Sequence, residues 1–445
     1  ASTTTYAYDN GGNVTGYTYP NGVQTTTIYD ALNRIKQIGS IRGASLSSFN
    51  YTLDPEGHRS SVTELGGRTV NYTYDDTYRL LSEAIGGDSG GNNGEVDYTY
   101  DPVGNRTQLN STLALVPSSA FTYDANDRLT SDSYDANGNT IFSGGTGNAY
   151  DFEDHLIQHG GVSLLYDGDG NRVAESANGI TTQYLVDNVN PTGLPQVVDE
   201  LLGGSVSKTY TYGVQRISQD QPQGNTGTPS FYGYDAHGSV RLLTSSAGAV
   251  TDTYSYDAFG TRLTCSGSTF NDFQYSGEQV DALLGHYYMR ARYYNVGTGR
   301  FLTMDPEFGD TSNPTSLHRY LYASGDPVNR IDPTGRQDLE EYVTLLEAVQ
   351  AEADFIKKFV KCEFELLKDV NNALTDAFNG LAVSPDAGNQ AVLDFANCLY
   401  EELLSPKAQA ENLAEYLIGE QITKIWLKII YDIVLEIYHD YELFH

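Results

Sequence analysis

The sequence predicts a mainly β protein: one long curved antiparallel sheet of short hairpins, followed by an all-α C-terminal helical bundle. Three observations carry this. A Tyr-Asp pair recurs at a nearly constant spacing, a turn signal follows each pair, and near residue 337 the hydrophobic period changes from two to about 3.6.

Tyr-Asp pairs stand at Tyr8-Asp9, Tyr29-Asp30, Tyr74-Asp75, Tyr100-Asp101, Tyr123-Asp124, Tyr134-Asp135, Tyr150-Asp151, Tyr166-Asp167, Tyr234-Asp235 and Tyr256-Asp257. Many lie 21 to 26 residues apart, and Tyr51 to Asp54 fills one gap as a degenerate copy. A run such as Asn71-Tyr72-Thr73-Tyr74 places its tyrosines on one face of a strand. The aspartate accepts hydrogen bonds from turn amides, a Gly or Asn two or three residues later takes positive φ, and the arginine beyond starts the return strand. One copy is therefore a hairpin, marginal alone, and stacking copies edge to edge builds a continuous sheet with an aromatic face. Residues 1–285 form this array; 186–230, rich in Pro, Gly and Gln without the repeat, reads as a loop or irregular hairpin.

Composition fits a turn-dense, strand-dense chain, with 45 Gly and 35 Tyr against two Met and one Trp. The 26 basic and 58 acidic residues leave a net charge of -32, which repels nucleic acid and anionic membranes and keeps a β-rich surface soluble, so neither is an expected partner. Three cysteines are too few for a disulfide scaffold. Cys362 and Cys398 fall in the tail, where one bridge or two packed thiols both suit their placement. His58, His155, His159 and His237 sit at or near turns with no ligand pattern around them and read as surface histidines, so no metal or cofactor is expected.

The phrases YDPVGNR (100 to 106), YDGDGNRV (166 to 173) and YDAFGTRL (256 to 262), with the closing segments GRFLTMDP (299 to 306) and NRIDPTG (329 to 335), resemble the YD or RHS repeats of the rearrangement-hotspot family and its repeat-associated core. The resemblance covers roughly residues 1–335. It implies a spiralling β-shell, as in Tc toxin C subunits, type VI secretion effectors and teneurins, that encloses or presents a C-terminal polypeptide.

Residues 286–336 form the junction. Met289 to Tyr294 reads as one alternating strand, NVGTG as its turn and Arg300 to Thr303 as the return strand, followed by Asp305-Pro306, Asp326-Pro327 and Asp332-Pro333 in a loop-rich stretch. In the family the matching first and last aspartates form an aspartyl autoprotease pair that cuts shortly after the final DPxG. The resemblance thus places the pair at Asp305 and Asp332, with Arg290, Arg292 and Arg300 as orienting or charge-balancing partners. Two close carboxylates share a proton and activate water against a peptide bond. Arg336 stands where the self-cleaving members usually carry leucine, and a long charged residue does not fit a pocket built for leucine; the alternative is a structural plug in which Asp-Pro turns and arginine-aspartate pairs close the loop.

From 337 to 445 apolar residues such as Leu339, Tyr342, Val343 and Leu346 recur at helical steps, Ser384-Pro385 and Ser405-Pro406 signal helix starts, and Glu420 to about Tyr441 is the last helix. Its regularly spaced charges make it a bundle helix rather than a membrane span. Together these features lead to the expectation of a secreted or cell-surface protein whose β-shell encloses or presents its own helical, toxin-like module. The alternative is a non-enzymatic structural, adhesive or filament-forming surface protein that binds copies of itself or surface glycans.

Overall fold

The computed structural model describes residues 3–190, 192–221, 227–309, 314–336 and 339–340, all within the first of two compact units, Ala1–Leu345. The helices expected beyond 337, with Cys362 and Cys398, lie outside the described residues. One short piece of that stretch is described and differs from expectation: Leu339–Glu340 is extended and pairs with Arg330–Ile331.

Each repeat folds around its aspartate. In the turn after Tyr29, Asp30 Oδ1 accepts the amides of Leu32 (2.8 Å) and Arg34 (3.1 Å), and Oδ2 accepts Arg34 Nε at 2.7 Å. In the turn after Tyr100, Asn105 takes the place of Arg34, donating its backbone N (2.9 Å) and Nδ2 (3.0 Å) to Asp101. The residue three beyond the aspartate has positive φ, as in Gly104 (102°), and this site also accepts Asn33, Tyr78, Asp127 and Asp154. Those side chains carry αL strain that the doubly anchored aspartate offsets. Strand register shifts at the tyrosine itself, for example between Ile28 and Tyr29 and between Ser255 and Tyr256, so a bulge turns the chain just before each reversal.

The tyrosine hydroxyls join one hairpin to the one before. Tyr29 donates to the Val14 carbonyl (3.0 Å), Tyr74 to Arg59 (2.6 Å), Tyr100 to Leu80 (2.8 Å), Tyr234 to Arg216 (2.7 Å) and Tyr256 to Val240 (3.0 Å). Phenylalanine would fill the same space but leave a buried carbonyl without this donor. These hydroxyls are thereby engaged within the sheet, whatever their rings contact.

Strands from Thr5–Tyr8 to Ser119–Ala120 form an 11-stranded sheet, and those from Ser133–Tyr134 to Arg262–Ser266 a 14-stranded sheet, both antiparallel in chain order. The stretch expected to be irregular continues the second ladder: Gln196–Leu202, Ser205–Tyr212, Arg216–Gln221 and Thr228–Tyr234 pair in sequence. Lys208 to Tyr212 alternates as a strand should, and Tyr212 donates to Val197 O at 2.9 Å as the Tyr-Asp tyrosines do. Among the described residues of this stretch, Pro229 stands within the strand Thr228–Tyr234, and the other Pro and Gly stand in the connections.

The two sheets meet across a shared core. Ile38, Phe49, Val70, Leu80, Val96 and Leu109 of the first pack with Ala236, Ala258 and Phe259 from turns of the second. His237 in one of those turns is buried, contrary to its reading as a surface residue, and burial lowers its pKa to about 4. Three arginines five residues beyond a turn aspartate, Arg59, Arg106 and Arg172, are likewise buried. Arg59 Nη1 donates to Val328 O (2.6 Å), Arg106 Nη2 to Gly297 O (2.7 Å), and Arg172 Nη1 to Asp281 Oδ2 (3.0 Å). The repeat array thus grips the junction through the arginine that its own motif supplies.

Candidate active site at the junction

Residues 279–301 form a four-stranded sheet, Gln279–Asp281, His286–Met289, Arg292–Asn295 and Arg300–Phe301. The run expected as one strand, Met289 to Tyr294, is broken. Met289 pairs with Arg292, which leaves Arg290-Ala291 as a two-residue hairpin turn with Arg290 at φ 53°. This break places Arg292 on the return strand, buried and facing the Asp-Pro loops.

Arg292 gathers the site. Its Nη2 lies 2.7 Å from Asp305 Oδ2 and 3.1 Å from Asp332 Oδ2, so one guanidinium nitrogen meets both carboxylates. Its Nη1 donates to Arg319 O at 3.2 Å, its Nε donates to the Gly335 carbonyl, and its Cζ lies 3.7 Å from the Phe301 ring centre. Asp332 is buried, and its Oδ1 accepts the backbone N of Arg336 (3.0 Å) and Thr334 Oγ1 (3.2 Å). Asp305 Oδ1 accepts the Glu307 amide at 2.9 Å, and its backbone is clasped by Arg319, whose Nε donates to Asp305 O at 2.8 Å. Burial raises the Asp305 pKa to about 6, a shift that the charge of Arg292 limits.

The peptide bond between Gly335 and Arg336 is therefore held at both ends, its carbonyl oxygen by Arg292 and its amide nitrogen by Asp332. Gly335 has φ 68°, and a Cβ there would overlap the Met289 carbonyl oxygen, so the last position of DPTG accepts only glycine. The Arg336 side chain is exposed, 3.8 Å from an equally open Glu307.

Of the predicted residues, Asp305, Asp332 and Arg292 come together. Arg290 lies at the border: its Nη1 donates to Glu278 Oε1 (2.9 Å) and to Pro333 O. Arg300 belongs elsewhere, a correction to its expected role. Its Nη1 donates to Asn105 Oδ1 at 2.6 Å and Nη2 to Asp127 O, between the rings of Tyr123 and Tyr320. It stands on a different strand from Arg292 and ties the junction to the repeat turns. Sequence reasoning missed Arg319, whose only signal was a single arginine in HRYLY.

No family model matches the sequence. The chain is 31% identical over 359 residues to the tRNA3(Ser)-specific nuclease WapA of Bacillus spizizenii, covering 75% of this chain and 15% of that protein. It is 30% identical over 357 residues to the tRNA nuclease WapA of Bacillus subtilis, again covering 75% of the chain and 15% of the relative. A shorter stretch of 105 residues is 35% identical to salivary gland surface protein 1 of Aedes aegypti. Among solved structures, the TcdB2-TccC3 complex superposes with a TM-score of 0.62 at 20% identity, covering 74% of this chain and 20% of that one. The Photorhabdus luminescens Tc holotoxin pore gives 0.61 over 74% of the chain. The fold is therefore shared with the TcdB2-TccC3 structures, and the chain spans only a small part of the proteins it resembles.

Proposed function

We propose that this chain is the closing part of a toxin-like RHS shell, secreted or displayed at the cell surface, that presents its own C-terminal module (337–445) and cuts the connection to it near residue 336. The observation that carries this reading is Arg292, which contacts Asp305, Asp332 and the Gly335 carbonyl at once. In the reaction, Asp305 and Asp332 share one proton and take another from the attacking water as its oxygen adds to the Gly335 carbonyl carbon. Arg292 stabilises the charge that develops on the carbonyl oxygen. The C–N bond then breaks, and the Arg336 nitrogen leaves with a proton from Asp332, which it already touches. The tRNA specificity in the names of the WapA relatives is theirs. The acidic balance that argues against nucleic acid describes this chain.

A second reading has a specific observation behind it. Arg292 satisfies both carboxylates, which suits a permanent clamp around the exit of the chain as well as a reaction centre. Intact-mass measurement of the full chain separates the two. Hydrolysis gives two fragments with a new terminus near 336, and Asp305→Asn or Asp332→Asn restores a single mass. One uncut mass for the natural sequence leaves only the clamp.

A further inference from the structure

The geometry points to a second, unrelated site: a divalent transition-metal site formed by His159 and His286, stapling the repeat sheet to the junction sheet. His159 ends the strand Leu156–His159 and His286 begins the strand His286–Met289. Their rings stand edge to face with centroids 5.4 Å apart. Two imidazoles on one metal, with metal–nitrogen bonds of about 2.0–2.1 Å, have ring centres roughly 5–6 Å apart.

The second observation is the hydrogen bonding of each ring. Asn148 Nδ2 donates to Thr140 O at 2.7 Å, which fixes its amide so that Oδ1 is the acceptor facing His159 Nδ1 at 2.8 Å. His159 Nδ1 therefore carries the proton and Nε2 the lone pair, the oriented state in which metal-binding imidazoles are held. His286 Nδ1 is buried with no hydrogen-bond partner. The nearby carboxylate of Asp281 is engaged elsewhere. Asp281 Oδ2 is held by Arg172, and its Oδ1 accepts the amides of Leu283 and Leu284 (both 3.1 Å). Among the described residues no third His, Cys, Asp or Glu joins the pair, so water completes the coordination. Imidazole pairs of this kind favour Zn²⁺, Ni²⁺ or Cu²⁺ over Mg²⁺ or Ca²⁺.

The test is calorimetric titration of the full chain with NiCl₂ and with ZnCl₂ at pH 7.5, alongside thermal melts. One ion binds per chain, and the melting temperature rises with metal. His286→Ala and His159→Ala each abolish it while melting as the natural protein does without metal. Asn148→Ala weakens binding about 10- to 100-fold through loss of the oriented tautomer, and Asn148→Asp, which keeps the acceptor, restores it. The chain has eight histidines, so binding that survives in the His159→Ala/His286→Ala double variant overturns the proposal. So does the absence of any heat or melting shift with either metal.

Discussion

At the residue scale, the junction depends on two positions with no tolerance. Gly335 is pressed against the Met289 carbonyl at positive φ, so Gly335→Ala displaces the carbonyl that Arg292 grips. The expected result is a loss of cleavage together with destabilisation of about 1–3 kcal/mol, read by intact mass and urea unfolding. Asp305 sets the pH dependence. Its pKa is raised from 3.8 to about 6 by burial, so folding favours its protonated form. Its contribution to stability is complete below about pH 4 and disappears as the pH rises through 6. In the proposed cleavage one carboxylate carries the proton and the other is free to take one from water, so the single-turnover rate is expected to fall above about pH 6 as Asp305 ionises. Asp305 and Asp332 were paired through the family resemblance, and both carboxylates meet Arg292. Arg319 and the Gly335 carbonyl were not legible, because their roles come from chain segments brought together only by folding. Arg300 was misassigned for the same reason: closeness along the chain says nothing about which side of a strand faces which partner.

At the scale of the element, the hairpin is legible almost completely, since its chemistry is local. Asp101 accepts Val103 N (3.1 Å), Asn105 N (2.9 Å) and Asn105 Nδ2 (3.0 Å). Asp101→Ala strips all three, and a loss of about 2–3 kcal/mol is expected in urea unfolding. Tyr256→Phe keeps the ring and removes one buried bond to Val240 O, so a smaller loss of about 1 kcal/mol is expected. No loss for Tyr256→Phe would mean that the ring packing, not the hydroxyl, holds successive hairpins together. The hairpin between Gln196 and Tyr212 was expected only as a loop or an irregular hairpin because it lacks the aspartate turn. There the strand is carried by alternation alone, as in Lys208 to Tyr212, and the neighbouring Pro and Gly of the connections masked it.

On the scale of the whole molecule, what the sequence could not reveal is how the two sheets close on each other, because that closure rests on charges far apart in the chain. Arg241 of the second sheet holds Glu64 of the first through Nη2 at 3.0 and 2.9 Å and its own turn aspartate, Asp235, through Nη1 at 2.9 Å. Beside it, Glu83 of the first sheet accepts the Ala258 amide at 2.7 Å, next to Asp257. Glu83 and Asp257 are both buried, and burial raises their pKa values to about 8 and about 6, with each other's charge adding to the shift for Glu83. The pair therefore holds one proton at neutral pH. Because both values lie above those of the unfolded chain, this seam is tightest in acid and loosens as the pH rises from about 4 to 8. The turn aspartates act in the opposite sense. Asp30, Asp75 and Asp167 have pKa values lowered by their turn amides and the side chains of Arg34, Arg79 and Asn171, which outweigh desolvation. Their contribution is lost as the pH falls below about 4. Stability should therefore peak in mildly acidic solution. Glu83→Gln keeps an acceptor for Ala258 and removes the buried charge, so it should stabilise the protein by roughly 1–3 kcal/mol at pH 8 and hardly at all at pH 4. A variant that is equally stable or weaker at pH 8 would show that Glu83 is held neutral by something other than its partner across the seam.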